Sequence, residues 1–289
     1  MSAAEVRRQL QEKKGYQDIE LPSEETIRRK LNQLGFHPVR VQKTQVKKKI
    51  PETNAIFEQI SRVRDEANSS DNQLIISRDA KATVNVGEFS RDGESRVPVQ
   101  ALDHDYQPDS KVTPVGLFLP QYDELSIAVC TSKVTSDTYV DTLDQWWTEN
   151  TARFPKIDTL VLLQDNGPEN SGRRTQFLYR MVNFVDQHQI NVRLAYFPPY
   201  HSKYNPVERC WGVLENHWNG ALLDTVEAVV GYAKSMTWKQ EHPAVRLVTQ
   251  VYELGVKLSK KAMEAVESRL SRLPHLPSWF IDIRPRIAA

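Results

Sequence analysis

The spacing of hydrophobic residues is helical over roughly the first 70 positions and becomes strand-like afterwards. Residues 3–14 (AAEVRRQLQEKK) predict a short helix, and a second helix is predicted from an N-cap at Ser23 to a stop at Gly35. A third apolar stripe follows Pro51 in PETNAIFEQISRVRDEA, and the polar stretch at 69–73 marks a boundary. The first part of the chain is therefore predicted to be helical.

The centre of the chain alternates short apolar runs with amphipathic segments. LIIS, VGLFL, LSIAVC, TLVLLQ and INVRLAYF are runs of the kind found in buried strands. Helical spacing follows in SDTYVDTLDQWWTEN, in RTQFLYRMVNFVDQHQ and after Pro206, whereas the turn formers of 97–114 predict a loop. Three strands followed by alternating helices and strands are typical of a mixed α/β sheet covered by helices.

Residues 221–289 predict two or three helices, mainly in AVVGYAKSM and AVRLVTQVYELGVKLSKKAMEAVESRL. The predicted organisation has four parts. These are a helix-turn-helix segment at 1–50, a linker helix at 51–72, the α/β domain at 73–220 and a helical C-terminal segment at 221–289.

Composition indicates an ordinary soluble globular protein, with 289 residues, 39% of them hydrophobic and 26% charged. No apolar run is long enough to span a membrane and no signal segment opens the chain, so we expect a cytosolic, nucleoid-associated protein without membrane contact. Cys130 and Cys210 lack C-x-x-C spacing and predict reduced, buried thiols.

Positive charge lies in the first and last segments, around an acidic centre at 71–220. Two short helices, the second of them basic, resemble a helix-turn-helix that reads the DNA major groove. The stretch RVQKTQVKKK adds cations suited to phosphate contacts. A solvated helical pair followed by a solvated linker would look the same, so both interpretations stay open. The candidate DNA-binding residues are Arg28, Arg29, Lys30, Arg40, Lys43, Lys47, Lys48 and Lys49.

Three acids follow predicted strands. Asp79 ends LIISRD, Asp165 ends VLLQD, and Glu208 opens the helix after INVRLAYF. Side chains at the carboxyl ends of neighbouring strands project into a common crevice, and hard divalent cations prefer carboxylate oxygens. We therefore hypothesise that the three acids share bound metal.

Each acid also has a structural interpretation. The Asp-Asn-Gly sequence at Asp165 is a favourable turn, and the run from Asn205 to Glu208 fits a capping box with proline at the first helical position. Asp79 is also suited simply to end a strand. Asp103, Asp105 and Asp109 compete with it for the role of first acid.

A family resemblance favours the metal hypothesis. FPPYHSKYNPVERCWGVLE, at 197–215, resembles without a gap the PPYSPxLNPIE-x-x-W segment of mariner-like and related bacterial insertion-sequence transposases. The match is closest to the Rhodopirellula-type family, which shares the FPP…SK.N..E form, an SxDxK segment present here as SRDAK, and a basic helix-turn-helix in front. The resemblance covers roughly residues 20–220.

The resemblance implies a ribonuclease-H-like fold with an Asp-Asp-Glu triad at Asp79, Asp165 and Glu208. It further implies two Mg²⁺ or Mn²⁺ ions, cleavage at the ends of an insertion sequence and strand transfer into target DNA. Double-stranded DNA and a homodimer or larger assembly are the expected partners. His201 and Lys203 are candidate phosphate contacts, and Asn166 and Asn205 are candidates for orienting the acids. Trp211 and Trp218 are predicted to pack in the core.

One departure from the family keeps other interpretations open. Mariner-like relatives usually carry two helix-turn-helix motifs, whereas a single one is predicted here, so incomplete end recognition and a shortened copy are both alternatives. An inactive, transposase-derived DNA-binding protein and a ribonuclease-H-like nuclease are the alternative functions. The basic helices ahead of the acids favour transposition, because an RNA–DNA hybrid nuclease has no need to read sequence.

Overall fold

The structure is a computed structural model that describes residues 2–37, 49–95, 97–102, 107–108 and 110–286. The chain divides into two compact units, Met1–Gln45 and Val46–Ala289. Several predicted residues lie outside the described part of the chain. They are the candidate DNA contacts Arg40, Lys43, Lys47 and Lys48, and the competing acids Asp103, Asp105 and Asp109.

The first unit contains the two predicted helices, α1 (Ala3–Lys14) and α2 (Glu24–Gln33). Ser23 caps α2 as predicted, because its Oγ accepts a hydrogen bond from the amide of Thr26 at 3.3 Å. Gly35 follows with φ of +84°, the left-handed conformation that commonly ends a helix. The helical predictions for this unit are therefore confirmed.

The connection between α1 and α2 is longer than the three or four residues of a typical helix-turn-helix. It runs over residues 15–23 and contains a 3-10 turn at Asp18–Glu20. Arg7 of α1 pairs with the Asp18 carboxylate and donates to the carbonyl of Pro22 at 3.3 Å. One arginine thus ties the connection to the first helix.

The second unit is built on one sheet, in which nine strands lie within the described residues. They are β1 (Gln73–Ala80), β2 (Val84–Val86), β3 (Ser110–Leu119), β4 (Glu124–Cys130), β5 (Thr159–Asp165), β6 (Asn191–Phe197), β7 (Ala244–Val248), β8 (Leu270–Arg272) and β9 (Phe280–Ile283). The spatial order is β7-β4-β3-β1-β5-β6-β9-β8, and β2 pairs with β3. β1 pairs antiparallel with β3 and parallel with β5, so the sheet is mixed.

Helices cover both faces of this sheet. They are α3 (Thr53–Asn68), α4 (Ser136–Asn150), α5 (Thr175–His188), α6 (Glu208–Trp218), α7 (Val226–Ser235) and α8 (Lys260–Glu267). Successive side chains of a strand point to opposite faces. Leu74 and Ile76 of β1 accordingly join the core under α4 and α5, whereas Ile75 joins the core under α3. The α/β sheet with flanking helices, expected of a ribonuclease-H-like fold, is confirmed.

The prediction of a helical C-terminal segment is confirmed for AVVGYAKS, which lies in α7, and for KKAMEAVE, which forms α8, but it is wrong for the remainder. The run AVRLV, assigned to a helix, forms β7 and extends one edge of the sheet by pairing in parallel with β4. At the other edge β9 pairs with β6, and β8 pairs with β9. A short apolar run rich in β-branched residues fits either structure by its spacing, and the unpaired edge of β4 decides for a strand.

The structure also tests three further predictions, which concern a loop, the two cysteines and membrane-spanning helices. The predicted loop 97–114 is too long, because β3 begins at Ser110. Cys130 and Cys210 are free and buried, as predicted. Within the described ranges, no helix is long and apolar enough to cross a membrane.

Replacing Ile281 by alanine tests whether the C-terminal strands belong to the core. Ile281 of β9 is fully buried in the cluster under α4 and α5, so the change should lower the free energy of unfolding by about 2–5 kcal/mol in chemical denaturation. Leu247→Ala in β7 is the control, because Leu247 is 42% exposed and its truncation should cost about 0.5 kcal/mol. Equal, small decreases would contradict the placement of β9.

Candidate active site

The sheet brings two of the predicted acids side by side. The parallel register of β1 and β5 pairs Ser77 with Leu163, and each acid follows two residues later on its strand. Asp79 and Asp165 therefore occupy equivalent positions on neighbouring strands and point to the same face. Glu208 is the first residue of α6, which packs on that face.

The three carboxylates interact electrostatically. Burial raises the pKa of Asp79 to about 7, and the negative charges of Glu208 and Asp165 add to the rise. Burial also raises the pKa of Asp165, against the opposing effect of hydrogen bonds from the Asn170 side chain and the Gly167 backbone. Because its carboxylate accepts a hydrogen bond from the Gly167 backbone, Asp165 also stabilises the turn that the Asp-Asn-Gly sequence predicts. The fold thus concentrates negative charge from three separate segments.

A tryptophan holds the first acid. Trp211 Nε1 donates a hydrogen bond to Asp79 Oδ2 at 2.9 Å. The indole comes this close because the residue paired with Asp79 on β3 is Gly116, where an added Cβ would lie 2.7 Å from the Trp211 ring. Trp211 packs in the core as predicted, but no local pattern in the sequence indicates its bond to the acid.

Asn205 fixes the segment before α6 to β1. Its Nδ2 donates to the backbone oxygen of Arg78 at 2.8 Å, and its Oδ1 accepts from Ser77 Oγ at 2.5 Å. Ser77 Oγ in turn accepts from the amide of Val207 at 2.9 Å. These residues are buried, so the segment that leads into Glu208 is held against the strand that carries Asp79.

The capping-box interpretation of Glu208 is therefore wrong. Val207 occupies the N-cap position of α6, and its side chain does not cap the helix. The Asn205 side chain binds β1 instead, through Ser77 and Arg78. Glu208 itself is partly exposed at the start of the helix.

Asn170, which the sequence did not single out, is the amide in contact with the second acid. Its Nδ2 donates to the backbone oxygen of Asp165 at 3.1 Å and to its Oδ1 at 3.3 Å. The predicted Asn166 binds the loop instead, since its Oδ1 accepts from the amide of Gly172 at 3.1 Å. Asn170 is only 1% exposed, and the burial of this polar side chain can be recognised only from the structure.

His201 and Lys203 lie in the segment between β6 and α6. His201 is buried, and its Nδ1 donates to the carbonyl of Pro199 at 2.7 Å. Its ring packs against Phe57 and Tyr204, with centroids 5.3 and 6.0 Å away. Lys203 Nζ lies 5.1 Å from the centre of the Tyr204 ring. This histidine therefore contributes to the packing of the segment.

A buried cation lies behind the acids. Arg78 is fully buried on the face of β1 opposite to Asp79, where its Nη2 donates to the backbone oxygen of Tyr139 and its guanidinium lies 5.3 Å from that ring. Burial lowers its pKa to about 10, so it stays charged at neutral pH. Its Nε and Nη1 have no hydrogen-bond partner among the described residues. The sequence could have indicated this residue, because a charged side chain stands at a strand position that faces the core.

The donor chemistry suits a hard divalent cation, because the acids offer only carboxylate oxygens and their mutual repulsion would fall on binding one. No three Asp, Glu, His or Cys side chains of the described chain lie close enough to hold a metal ion. The three carboxylates are therefore farther apart than the ligands of a complete metal site. Their chemistry fits a metal, while their side chains are not arranged around one.

The comparisons with known proteins identify the family. The sequence matches the profile described as the Rhodopirellula transposase DDE domain over residues 1–285. No significant match is found among curated protein sequences.

Solved structures give weaker likenesses. The "Mos1 transposase paired-end complex with left transposon end" is 13% identical, with 80% of this chain and 69% of that chain covered and a TM-score of 0.45. The "Mos1 mariner paired end complex with Mn" is 11% identical, with 79% and 69% covered and a TM-score of 0.48. The family match carries the assignment.

A mixed α/β sheet with acids at the ends of neighbouring strands, in a chain matched almost throughout by a transposase profile, defines a DNA transposase. The chain belongs to the family of the Rhodopirellula transposase DDE domain.

Replacing Asp79 by asparagine should stabilise the protein in metal-free buffer at alkaline pH. The carboxyl has a pKa of about 7 when folded and about 3.9 when unfolded, so the folded state loses stability as the pH rises between these values. Asparagine cannot ionise, and the variant should gain about 1–3 kcal/mol at pH 8 and little at pH 4. Denaturant unfolding at both pH values measures this gain.

Asp158→Asn is the control for this measurement, since Asp158 is an exposed acid just before β5. Its replacement removes the same charge outside the acid cluster and should not stabilise the protein at pH 8. A pH 8 stability of Asp79→Asn equal to that of the unmodified protein would contradict the charge crowding around Asp79.

Proposed function

We propose that Asp79, Asp165 and Glu208 are the catalytic carboxylates of this transposase and together bind two Mg²⁺ or Mn²⁺ ions. The observation that carries the proposal is the placement of Asp79 and Asp165 at equivalent positions of neighbouring strands, with the start of the helix that carries Glu208 bonded to β1. The raised pKa of Asp79, caused by burial and by the charges of Glu208 and Asp165, agrees with it. Three acids from β1, β5 and α6 thus crowd negative charge into one region of the fold, and such crowding is typical of sites for divalent ions.

The bound cations would polarise the scissile phosphate and lower the pKa of the attacking water. Asp79 and Asp165 are the rigid part of the site, because neighbouring parallel strands fix their spacing. Glu208 approaches from a helix whose start is bonded to β1 through Asn205 and Ser77. The chain's own contribution is thus to hold three carboxyl groups in the same region of the fold before DNA arrives.

The reaction proposed for this site has two steps. Water attacks a phosphodiester at the end of the insertion sequence, the bond from phosphorus to the 3′ oxygen breaks, and a 3′-hydroxyl is released. That hydroxyl then attacks a phosphodiester of the target DNA, which joins the element to the target and releases a target 3′-hydroxyl. Both steps exchange one P–O bond for another, so positioning and charge neutralisation suffice.

We further propose that the first unit binds double-stranded DNA through α2. Arg28, Arg29 and Lys30 are exposed, and Glu25 holds the Arg28 guanidinium through two hydrogen bonds of 2.7 and 2.8 Å. Lys49, at the start of the described second unit, is also exposed. We propose a homodimer or larger assembly, because two element ends have to be joined to one target.

Asp165→Asn and Glu208→Gln test the catalytic assignment. With purified protein, Mg²⁺ or Mn²⁺ and DNA that carries the terminal inverted repeats, each change should lower the cleavage rate by more than ~100-fold, since each removes a ligand charge. The matched controls are Asp158→Asn, next to β5, and Glu227→Gln, in the first turn of α7. Cleavage that persists in either test variant would refute the assigned roles.

Replacing Arg28, Arg29 and Lys30 by alanine tests the proposed reader helix. Gel shifts over a salt series should show weaker binding, and the slope of log affinity against log salt should fall by about 0.9 for each phosphate that is no longer neutralised. Lys13→Ala with Lys14→Ala, at the end of α1, is the control for removal of charge alone. An unchanged affinity and slope in the triple variant would remove α2 from the DNA interface.

A further inference from the structure

The strands β8 and β9 and their connection touch the loop that follows Asp165. We call residues 270–283 the C-terminal hairpin, which comprises β8, β9 and their connection, and residues 166–172 the acid loop. The sequence pattern predicts no chemistry for the first of these segments. Their contacts make them one structure.

Arg272 is the main link between the two segments. Its Nη1 donates to the carbonyl of Gly172 at 2.9 Å and to the carbonyl of Pro277 at 2.7 Å. Its Nε and Nη2 donate to the Glu267 carboxylate at the end of α8. A planar guanidinium supplies donors in several fixed directions at once, which a lysine cannot do. One side chain therefore joins the acid loop, the hairpin connection and α8.

A second set of contacts lies around Ser278 in the hairpin connection. Its carbonyl accepts from Asn166 Nδ2 at 3.3 Å, and its Oγ accepts from Arg173 Nε at 3.0 Å. Gly172 approaches so closely that an added Cβ would lie 2.4 Å from the Ser278 carbonyl oxygen. The packing at this point thus requires glycine.

Hydrogen bonds within the acid loop connect these contacts to the second acid, Asp165. Gly172 donates its amide hydrogen to Asn166 Oδ1, which closes the loop, and Asn170 within it donates to both the backbone and the carboxylate of Asp165. Tyr196 of β6 donates its hydroxyl hydrogen to the Asn170 carbonyl at 2.8 Å. Asn170 is therefore held from both sides while it orients Asp165.

The hairpin is itself anchored to the sheet. β9 pairs with β6, and the amide of Tyr196 donates to the carbonyl of Trp279 at 3.0 Å. At the opposite end Arg269 makes two bonds to the Asp186 carboxylate, of 2.6 and 2.8 Å, and donates to the Arg284 carbonyl. The pairing of β9 with β6 therefore holds the connection that reaches the acid loop, whereas Arg269 fixes only the opposite end of the hairpin.

We propose that Arg272 is a positioning residue for the second acid, which acts through the Gly172 carbonyl and the acid loop on Asn170 and Asp165. This inference rests on the proposed role of Asp165 as a metal-binding catalytic carboxylate. The hairpin is then part of the active-site support, in the sense that outer contacts orient the groups that bind a metal.

The variant Arg272→Gln tests this role, with hydrogen–deuterium exchange of the peptide that covers 165–173 as the first readout. The unpaired Gly172 carbonyl should loosen the acid loop, and exchange there should become about tenfold faster. Activity should fall about 10- to 100-fold, with a rise in the Mn²⁺ concentration needed for half-maximal cleavage. Arg272→Lys should fail to restore either value, because a single ammonium cannot span the same acceptors.

Arg269→Gln is the matched control. It removes an arginine that binds the same C-terminal segment through Asp186, away from the acid loop. Exchange should rise near α5 and at the end of β9, while exchange at 165–173 and the Mn²⁺ requirement stay as in the unmodified protein. Equal effects of the two variants at 165–173 would overturn the proposal, because they would show a general destabilisation.

Gly172→Ala provides a second test that leaves every charge in place. The added methyl group should separate the acid loop from Ser278 and reproduce the faster exchange and the higher Mn²⁺ requirement. Gly231→Ala in α7 is its control, since the added Cβ would have no contact within 4 Å beyond its chain neighbours and the backbone of its own helix. If Gly172→Ala left exchange at 165–173 unchanged, the proposal would be overturned.

The exchange readout keeps this inference separate from the catalytic assignment. If Asp165→Asn remained active, the catalytic role of Asp165 would fail, and with it the functional meaning of the support. If Asp165→Asn were inactive while Arg272→Gln left both exchange and the Mn²⁺ requirement unchanged, the positioning role alone would fail.

Discussion

Repulsion between partly buried carboxylates is the constraint on which the candidate active site depends. Asp79, Asp165 and Glu208 come from three segments far apart in the sequence, and bringing them together in a partly buried place is electrostatically unfavourable. A fold can maintain such an arrangement only where the surrounding structure is rigid. Two parallel strands and a helix bonded to one of them provide that rigidity.

The hydrogen bonds around the acids show how the rigidity is distributed. Each acid or its supporting segment has a separate partner. Trp211 binds Asp79, Asn170 binds Asp165, and Asn205 with Ser77 fixes the start of the helix that carries Glu208. These partners are buried and uncharged, so they orient the acids without neutralising them. The negative charge that they leave in place suits a ligand of opposite sign, which is the logic by which divalent ions are bound.

The core of the fold and the positions of the three acids in it could be predicted from the sequence more readily than the surrounding contacts. β1, β5 and β6 are continuous apolar runs, and Asp79 and Asp165 stand where polarity returns at the ends of β1 and β5, so these features were visible in the pattern. AVRLV was misassigned because its conformation is decided by the edge of β4, far away in the chain. Asn170 and Arg272 were missed for a similar reason. Their partners lie on other elements, and no local spacing indicates them.

The position of β9 has a consequence for the order in which the protein matures. The strand is translated well after Glu208, yet it lies beside β6, and Arg272 of its partner strand β8 is bonded to the loop beyond Asp165. A nascent polypeptide that already contains all three acids still lacks this support. The ribosome must therefore pass Ile283 before the strand can pair, so a chain whose translation stops early contains all three acids but lacks the contact between Arg272 and the loop after Asp165.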